Sequence, residues 1–241
     1  SIPYSLQRPA EDDVWATAPG AKQTRSFGDK GYELDITELN AAFEAQRFRF
    51  DYLIFDDCFM ANIETLYDLR STVGYVVASP CEIMGDGFPY DRIIPHLFEE
   101  TAVSERLAKT CREFWNLYEN EYQNTIWKEQ SGCISLAVLS ELDGLAGVMR
   151  RINEKEKQPF ELSELQYYKG GSTPLFYDLG HYVGLSCGDP ALVDEFTAQL
   201  DRAFPADSRL HTARFYSAYG QGNHEVHHYS GVSVSEPSPR Y

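Results

Sequence analysis

The chain predicts an α/β fold with a mainly parallel central sheet, and three stretches carry that prediction. Tyr52-Leu53-Ile54-Phe55 is a short apolar run set between charged residues, which reads as a strand buried on both faces. Residues 74–79, Gly-Tyr-Val-Val-Ala-Ser, form a second such strand. Between them Phe59, Ile63, Leu66 and Tyr67 recur at helical spacing through a segment with no Gly or Pro. Strand, helix and strand with a short return imply a right-handed parallel crossover.

The other elements follow in order. Residues 1–31 carry Pro3, Pro9, Pro19, Gly20, Gly28 and Gly31 and read as a long surface loop. Asp35 with Glu38 opens a helix whose apolar face is Ile36, Leu39, Ala42 and Phe43. The strand through Phe55 ends at Asp56, and the helix after it runs from Phe59 to about Arg70. Residues 79–95 are rich in Pro, Gly and acids and read as a loop leaving the carboxyl end of the second strand. Residues 98 to about 127 are helical, with Leu107, Cys111, Phe114, Trp115 and Tyr118 on the buried side. Residues 133–139 form a third strand leading into a helix from Leu142 to about Asn153. Asp189-Pro190 is an N-cap followed by Pro at the first helical position, and Leu192, Val193, Phe196 and Leu200 mark its buried stripe. Residues 211–236 are rich in Tyr, His, Gly and Ser and hold a terminal strand at 231–234. The expected division is a catalytic core over residues 1–140 and a mainly helical carboxyl-terminal domain over 141–241.

Composition narrows the function. The 241 residues carry a formal net charge of -16, which repels nucleic acid and anionic membrane surfaces and suits a cationic substrate. No apolar run is long enough to span a membrane, and Ser1-Ile2-Pro3-Tyr4 is not a signal peptide. The five cysteines are scattered, with none at CxxC spacing, and form neither a disulfide framework nor a zinc signature. Cys111 and Cys133 lie in apolar-periodic segments and read as core residues.

Cys58 stands apart. It follows a strand at its carboxyl end and precedes a helical pattern, and in open α/β sheets ligands bind at that edge. A helix amino terminus there would favour the thiolate, which is the nucleophilic form.

Around Cys58 the chain resembles the clostripain-like cysteine peptidases, a group within the caspase-like fold. The carrying residues are Asp51 with Phe55-Asp56-Asp57-Cys58-Phe59-Met60, then Glu64, Tyr67 and Leu69-Arg70, then Tyr75, Ala78-Ser79, Glu82, Gly87 and Pro89-Tyr90. Weaker echoes follow at residues 134–140, 176–179 and 230–233, so the likeness runs from about residue 32 to 236. The resemblance implies a caspase-like α/β/α sandwich. It also implies an endopeptidase that cuts after Arg or Lys through a Cys58 acyl-enzyme. A cationic side chain needs carboxylates in its pocket. Asp56 matches the family's pocket acid, and Asp86, in the loop after the neighbouring strand, converges on the same place. Asp57 reads as a helix cap.

The resemblance also implies a His-Gly motif upstream of the nucleophile, supplying the general base and an oxyanion donor. No His precedes Cys58; the six are His96, His181, His211, His224, His227 and His228. The expectation is that the catalytic His lies on an upstream segment, as a separate fragment of the same precursor or an omitted part of it. Arg8, Lys22, Arg25 and Lys30 make the amino-terminal loop a candidate processing site. His224 and His228 would share a metal only on a helix, which Gly220, Gly222 and Gly231 disfavour, so a polar loop is expected. No cofactor is required by the chemistry; calcium dependence, and secretion or a cell-envelope location, are implied by the resemblance alone. The alternative is a caspase-like scaffold that holds peptides or proteins without cutting them.

Overall fold

The computed structural model describes residues 26–27, 34–122, 131–169, 174–218 and 222–235. Strands β1 (Ser26–Phe27) and β2 (Leu34–Asp35) pair antiparallel ahead of helix α1 (Ile36–Ala45). Asp35 caps α1 as its side chain predicts: Oδ1 accepts from the Thr37 N–H at 2.9 Å, and Glu38 accepts from the Asp35 N–H at 3.2 Å. Strand β3 (Phe50–Ile54), helix α2 (Ile63–Leu69) and strand β4 (Val73–Ala78) form the predicted crossover, and β3 and β4 are parallel.

The rest of the sheet departs from the expectation. Its order is β3-β4-β5-β7, with β5 (Ile134–Val138) and β7 (Arg209–Leu210). The β4–β5 and β5–β7 pairs are both antiparallel. The mainly parallel sheet is therefore a mixed one. The cause lies between β4 and β5, where two successive helices, α3 (Tyr90–Leu97) and α4 (Val103–Asn116), pack on each other. A single helix returns the chain to the end where its strand began; a pair of helices takes it away and back, so the next strand runs the other way. Helix α3 also occupies ground that its Pro content assigns to a loop. Pro89 stands at its N-cap, and Pro95 falls near the end of this short helix, where one lost backbone bond is tolerated. A π-helical turn over Leu117–Glu121 extends α4; the predicted end near 127 lies outside the described residues.

Side chains alternate across the sheet with the period of a strand. Val76, Ala78 and Ala137 face a large apolar cluster shared with α1, α2, α5 (Leu142–Asn153), α6 (Leu179–Ser186) and α7 (Pro190–Ala203), which Val73 joins at the start of β4. Val77, Ile134 and Leu136 face a second cluster shared with Ile93 of α3 and Leu107, Cys111 and Phe114 of α4. Helices thus cover both faces. β3 is only half-buried, because among the described residues it has a strand neighbour on one side alone.

The carboxyl-terminal region closes back on the segment after Cys58. Strand β6 (Phe176–Asp178) pairs antiparallel with β10 (Ser233–Ser235). The Ser233 N–H donates to the Ala61 carbonyl at 2.9 Å. Asp178 holds this arrangement. Its buried carboxylate accepts from the Tyr168 hydroxyl at 2.6 Å, the Ser230 N–H at 2.7 Å and hydroxyl at 2.9 Å, and the His181 N–H at 2.8 Å, which caps α6. Strands β8 (Arg214–Ser217) and β9 (Gly222–Glu225) form a separate antiparallel pair.

Replacing Asp178 with Ala leaves several buried donors without an acceptor, so Asp178→Ala should cost about 3 kcal/mol of stability in denaturant unfolding. A loss below about 0.5 kcal/mol would show that these bonds do not hold the region together.

Candidate active site

The backbone after β3 runs beside the extension of β4. The Phe55 N–H donates to Val77 O at 2.9 Å, the Phe59 N–H to Cys81 O at 3.1 Å, and the Ala61 N–H to Ser79 O at 2.9 Å. Between these ties the chain bulges out through Asp56, Asp57 and Cys58. The helix begins only at Ile63, capped by Asn62, so Phe59, Met60, Ala61 and Asn62 separate Cys58 from it. Two expectations are corrected here. Cys58 is not at a helix amino terminus, and Asp57 does not cap the helix; its carboxylate accepts the N–H of Cys58 itself at 2.8 Å.

The half-buried Cys58 sulfur meets a different donor. The Ile83 N–H points at Sγ from 3.3 Å, and Ile83 O lies 3.9 Å from it. The thiol is pushed up to about 11, first by burial and then by the charges of Asp57 and Glu82, against the lowering by Ile83. In this setting the sulfur carries its proton at neutral pH. Phe59, the next residue, has φ 63, a left-handed conformation costing roughly 1–2 kcal/mol for a residue with a Cβ. Its ring stacks on Phe176 at 5.1 Å, which helps to hold it there. Backbone strain of this kind gathers at functional sites.

The acids gather on one side. Asp56 is exposed and accepts the Tyr90 hydroxyl at 2.7 Å. Its carboxylate fills the space a side chain at Gly87 would need: a Cβ there would stand 2.6 Å from Oδ2. Gly87 also has φ 62, and its carbonyl accepts the hydroxyl of buried Tyr118 at 2.7 Å. The Tyr118 phenol is pushed up, by burial first and then by Tyr122, Asp86 and Asp56. Tyr90 is pushed up to about 12 by its partial burial and by Asp56. Asp86 is exposed and lines a cavity of about 320 Å³ formed by loop residues 82–86 with Tyr122 and Tyr216. The structure therefore brings Cys58, Asp56 and Asp86 to one edge of the sheet.

Other expectations resolve elsewhere. Among the described residues no His hydrogen-bonds Cys58. His96 pairs with Glu99, His211 packs on Tyr229, and His227 lies 3.4 Å from Glu225. His224 sits on β9 against Tyr167 and Phe215, while His228 stacks on His181 at 3.5 Å. These two are thus not on one helix, and no group of three metal-ligating side chains forms among the described residues. Arg8, Lys22, Arg25 and Lys30 lie outside the described residues. Three partners are new to the sequence reading: the Ile83 N–H, the Tyr90 hydroxyl and Tyr216. A backbone donor leaves no mark in a sequence, and nothing in its local pattern ties Tyr216 to residue 82.

Comparison with known proteins supplies context for this geometry. The model of the clostripain family matches residues 15–209. A clostripain structure from Bacteroides thetaiotaomicron, bound to the peptide inhibitor BTN-VLTK-AOMK, is 32% identical with a TM-score of 0.79, covering 89% of this chain and 92% of that one. A secreted cysteine protease from the same organism, iotapain, is also 32% identical, with a TM-score of 0.77 over 87% of this chain and 56% of its own. An inactive zymogen protease from Parabacteroides distasonis is 26% identical, with a TM-score of 0.72 over 85% of this chain and 57% of its own. The chain therefore spans little more than half of the latter two. No curated protein matches it.

Gly87→Ala tests the acid's seat. The substitution forces a Cβ into a left-handed residue and into the Asp56 carboxylate, so thermal unfolding should show a loss of about 1–3 kcal/mol. An unchanged melting temperature would contradict the close approach.

Proposed function

The chain belongs to the clostripain family and is a cysteine peptidase; from that premise we propose that Cys58 is the nucleophile of an endopeptidase that cuts after Arg or Lys. The observation that carries the reading is that the Cys58 sulfur is held by the Ile83 N–H of the same loop that carries Asp86, with the exposed Asp56 two residues before Cys58. The thiolate attacks the scissile carbonyl, the amine leaves, and water hydrolyses the resulting acyl-enzyme. Asp56 and Asp86 receive the cationic side chain through charge-assisted hydrogen bonds. The Lys that ends the VLTK inhibitor bound to the B. thetaiotaomicron clostripain supports a cationic residue at that position.

The reaction needs a general base, and the raised thiol makes that need acute. We place it on a His carried by an upstream segment of the same precursor, whose cation would lower the sulfur's pKa. The zymogen relative supports maturation by cleavage, and the secreted relative supports secretion. Thiolate, imidazole and backbone N–H groups suffice for the chemistry without a resident cofactor. The helices on both sheet faces support the caspase-like reading of the layers, and the division at residue 140 belongs to the same proposal.

Kinetics of matured protein test this. Cys58→Ala should abolish cleavage of Arg and Lys peptides while leaving the unfolding curve in place. Asp56→Asn should lower kcat/KM for an Arg peptide by about 100-fold or more, and much less for its uncharged citrulline analogue. Unchanged turnover in Cys58→Ala would sink the assignment of the nucleophile. An equal loss on both peptides would remove Asp56 from the cation pocket.

A further inference from the structure

Glu82 is part of the motif that marks this chain, yet neither the nucleophile nor the cation pocket gives it a task. It is 9% exposed, and its carboxylate is committed. Oε1 accepts the Ser217 hydroxyl at 3.0 Å and the Ala218 N–H at 3.0 Å, and Oε2 accepts the same N–H at 3.0 Å. Ser217 is the last residue of β8, so this is a tie between the loop after β4 and a strand far along the chain.

Both ends of the tie bear on the site. On one side Glu82 precedes Ile83, whose N–H touches the Cys58 sulfur. On the other, Ser217 follows Tyr216, which faces residues 82–86 across the cavity. Ser79 prepares the turn that delivers Glu82: its hydroxyl donates to Cys81 O at 3.0 Å and accepts the Cys81 N–H at 3.2 Å. A carboxylate this close to the sulfur works against the thiolate, as its charge helps to raise Cys58. Gln would supply an acceptor without that charge. The second oxygen, also bound to Ala218, is what the carboxylate adds.

We infer that Glu82 is a positioning residue of the active site, clamping the loop that touches the Cys58 sulfur to strand β8 and thereby fixing both walls of the cavity that Asp86 lines. The inference rests on the assignment of Cys58 as nucleophile for its meaning in catalysis, but the clamp itself is independent of which residue attacks. Ser79 and Glu82 then form one device: the Ser shapes the turn and the Glu fastens it.

The test uses the full, matured protein with an Arg peptide substrate, well below the unfolding temperature. Glu82→Ala should raise KM by about fivefold or more, because the cavity walls are no longer held. Glu82→Gln keeps Oε1 as an acceptor for Ser217 and Ala218 but sets an NH2 group where Oε2 met the Ala218 N–H, and should recover part of that loss. Cys58 alkylation by iodoacetamide, followed by mass spectrometry across pH, gives a second readout. Its midpoint should move to lower pH in Glu82→Gln, since removing a negative charge favours the thiolate. Should Glu82→Ala not fold, Ser217→Ala removes one donor and should raise KM in the same direction by a smaller factor. Wild-type KM in a folded Glu82→Ala (or, in its place, Ser217→Ala) would overturn the inference, reducing Glu82 to a fold stabiliser. Equal impairment in Glu82→Gln and Glu82→Ala would also overturn it, since charge alone would then account for the effect. Failure of the nucleophile assignment would appear separately, as full activity after complete alkylation of Cys58.

Discussion

The chain leaving β3 stays tied by backbone hydrogen bonds to the chain leaving β4, and the site depends on those ties. Once β3 ends, Phe55, Phe59 and Ala61 still donate to carbonyls of the neighbouring chain, at Val77, Cys81 and Ser79. Only the residues between Phe55 and Phe59 are released, and they are Asp56, Asp57 and Cys58. The loop that leaves β4 sets Ile83 against the sulfur. A slip of one residue would turn every side chain in β4 to the opposite face, so the two apolar clusters that clasp the sheet also fix where the thiol stands. The carboxyl-terminal segment contributes from the far side, through the bond from Ser233 to Ala61 and the buried carboxylate of Asp178.

The electrostatics of this edge pull in two directions. The charges of Asp57 and Glu82 act on the Cys58 sulfur and oppose a thiolate, while Asp56 and Asp86 stand on the same edge as the proposed seat of a cationic side chain. Burial adds to the first effect and is the larger cause of the raised thiol. On the proposed reading, such a site favours a bound cation before it favours the thiolate. Arrival of a positive group, from the substrate or from a protonated imidazole, relieves the conflict, because each lowers the energy of the charged sulfur.

Much of this was legible in the residues. The crossover, the Asp35 cap and the strand before Leu142 follow from apolar period and capping chemistry, which are local. The position of Cys58 at the edge of the sheet was legible for the same reason. What failed was also physical. Phe59 to Asn62 fit a helical period, but they are spent on hydrogen bonds to Cys81, Ser79 and Ser233, and the helix waits for Asn62 to cap it. The mixed sheet escaped because Pro95 made α3 look like loop, and one unrecognised helix reverses the direction of the next strand. The link from Glu82 to Ser217 joins residues far apart in sequence, which no local pattern encodes.

Attack by Cys58 and selection of a cation by Asp56 and Asp86 can be tested together. Reacting the matured protein with peptides carrying Arg, Lys or Glu before a thiol-reactive group, then locating the adduct by mass spectrometry, addresses both halves at once. One adduct per molecule is expected at Cys58 with the Arg and Lys probes and none with Glu. Labelling at another cysteine, or equal labelling by the Glu probe, would contradict that expectation.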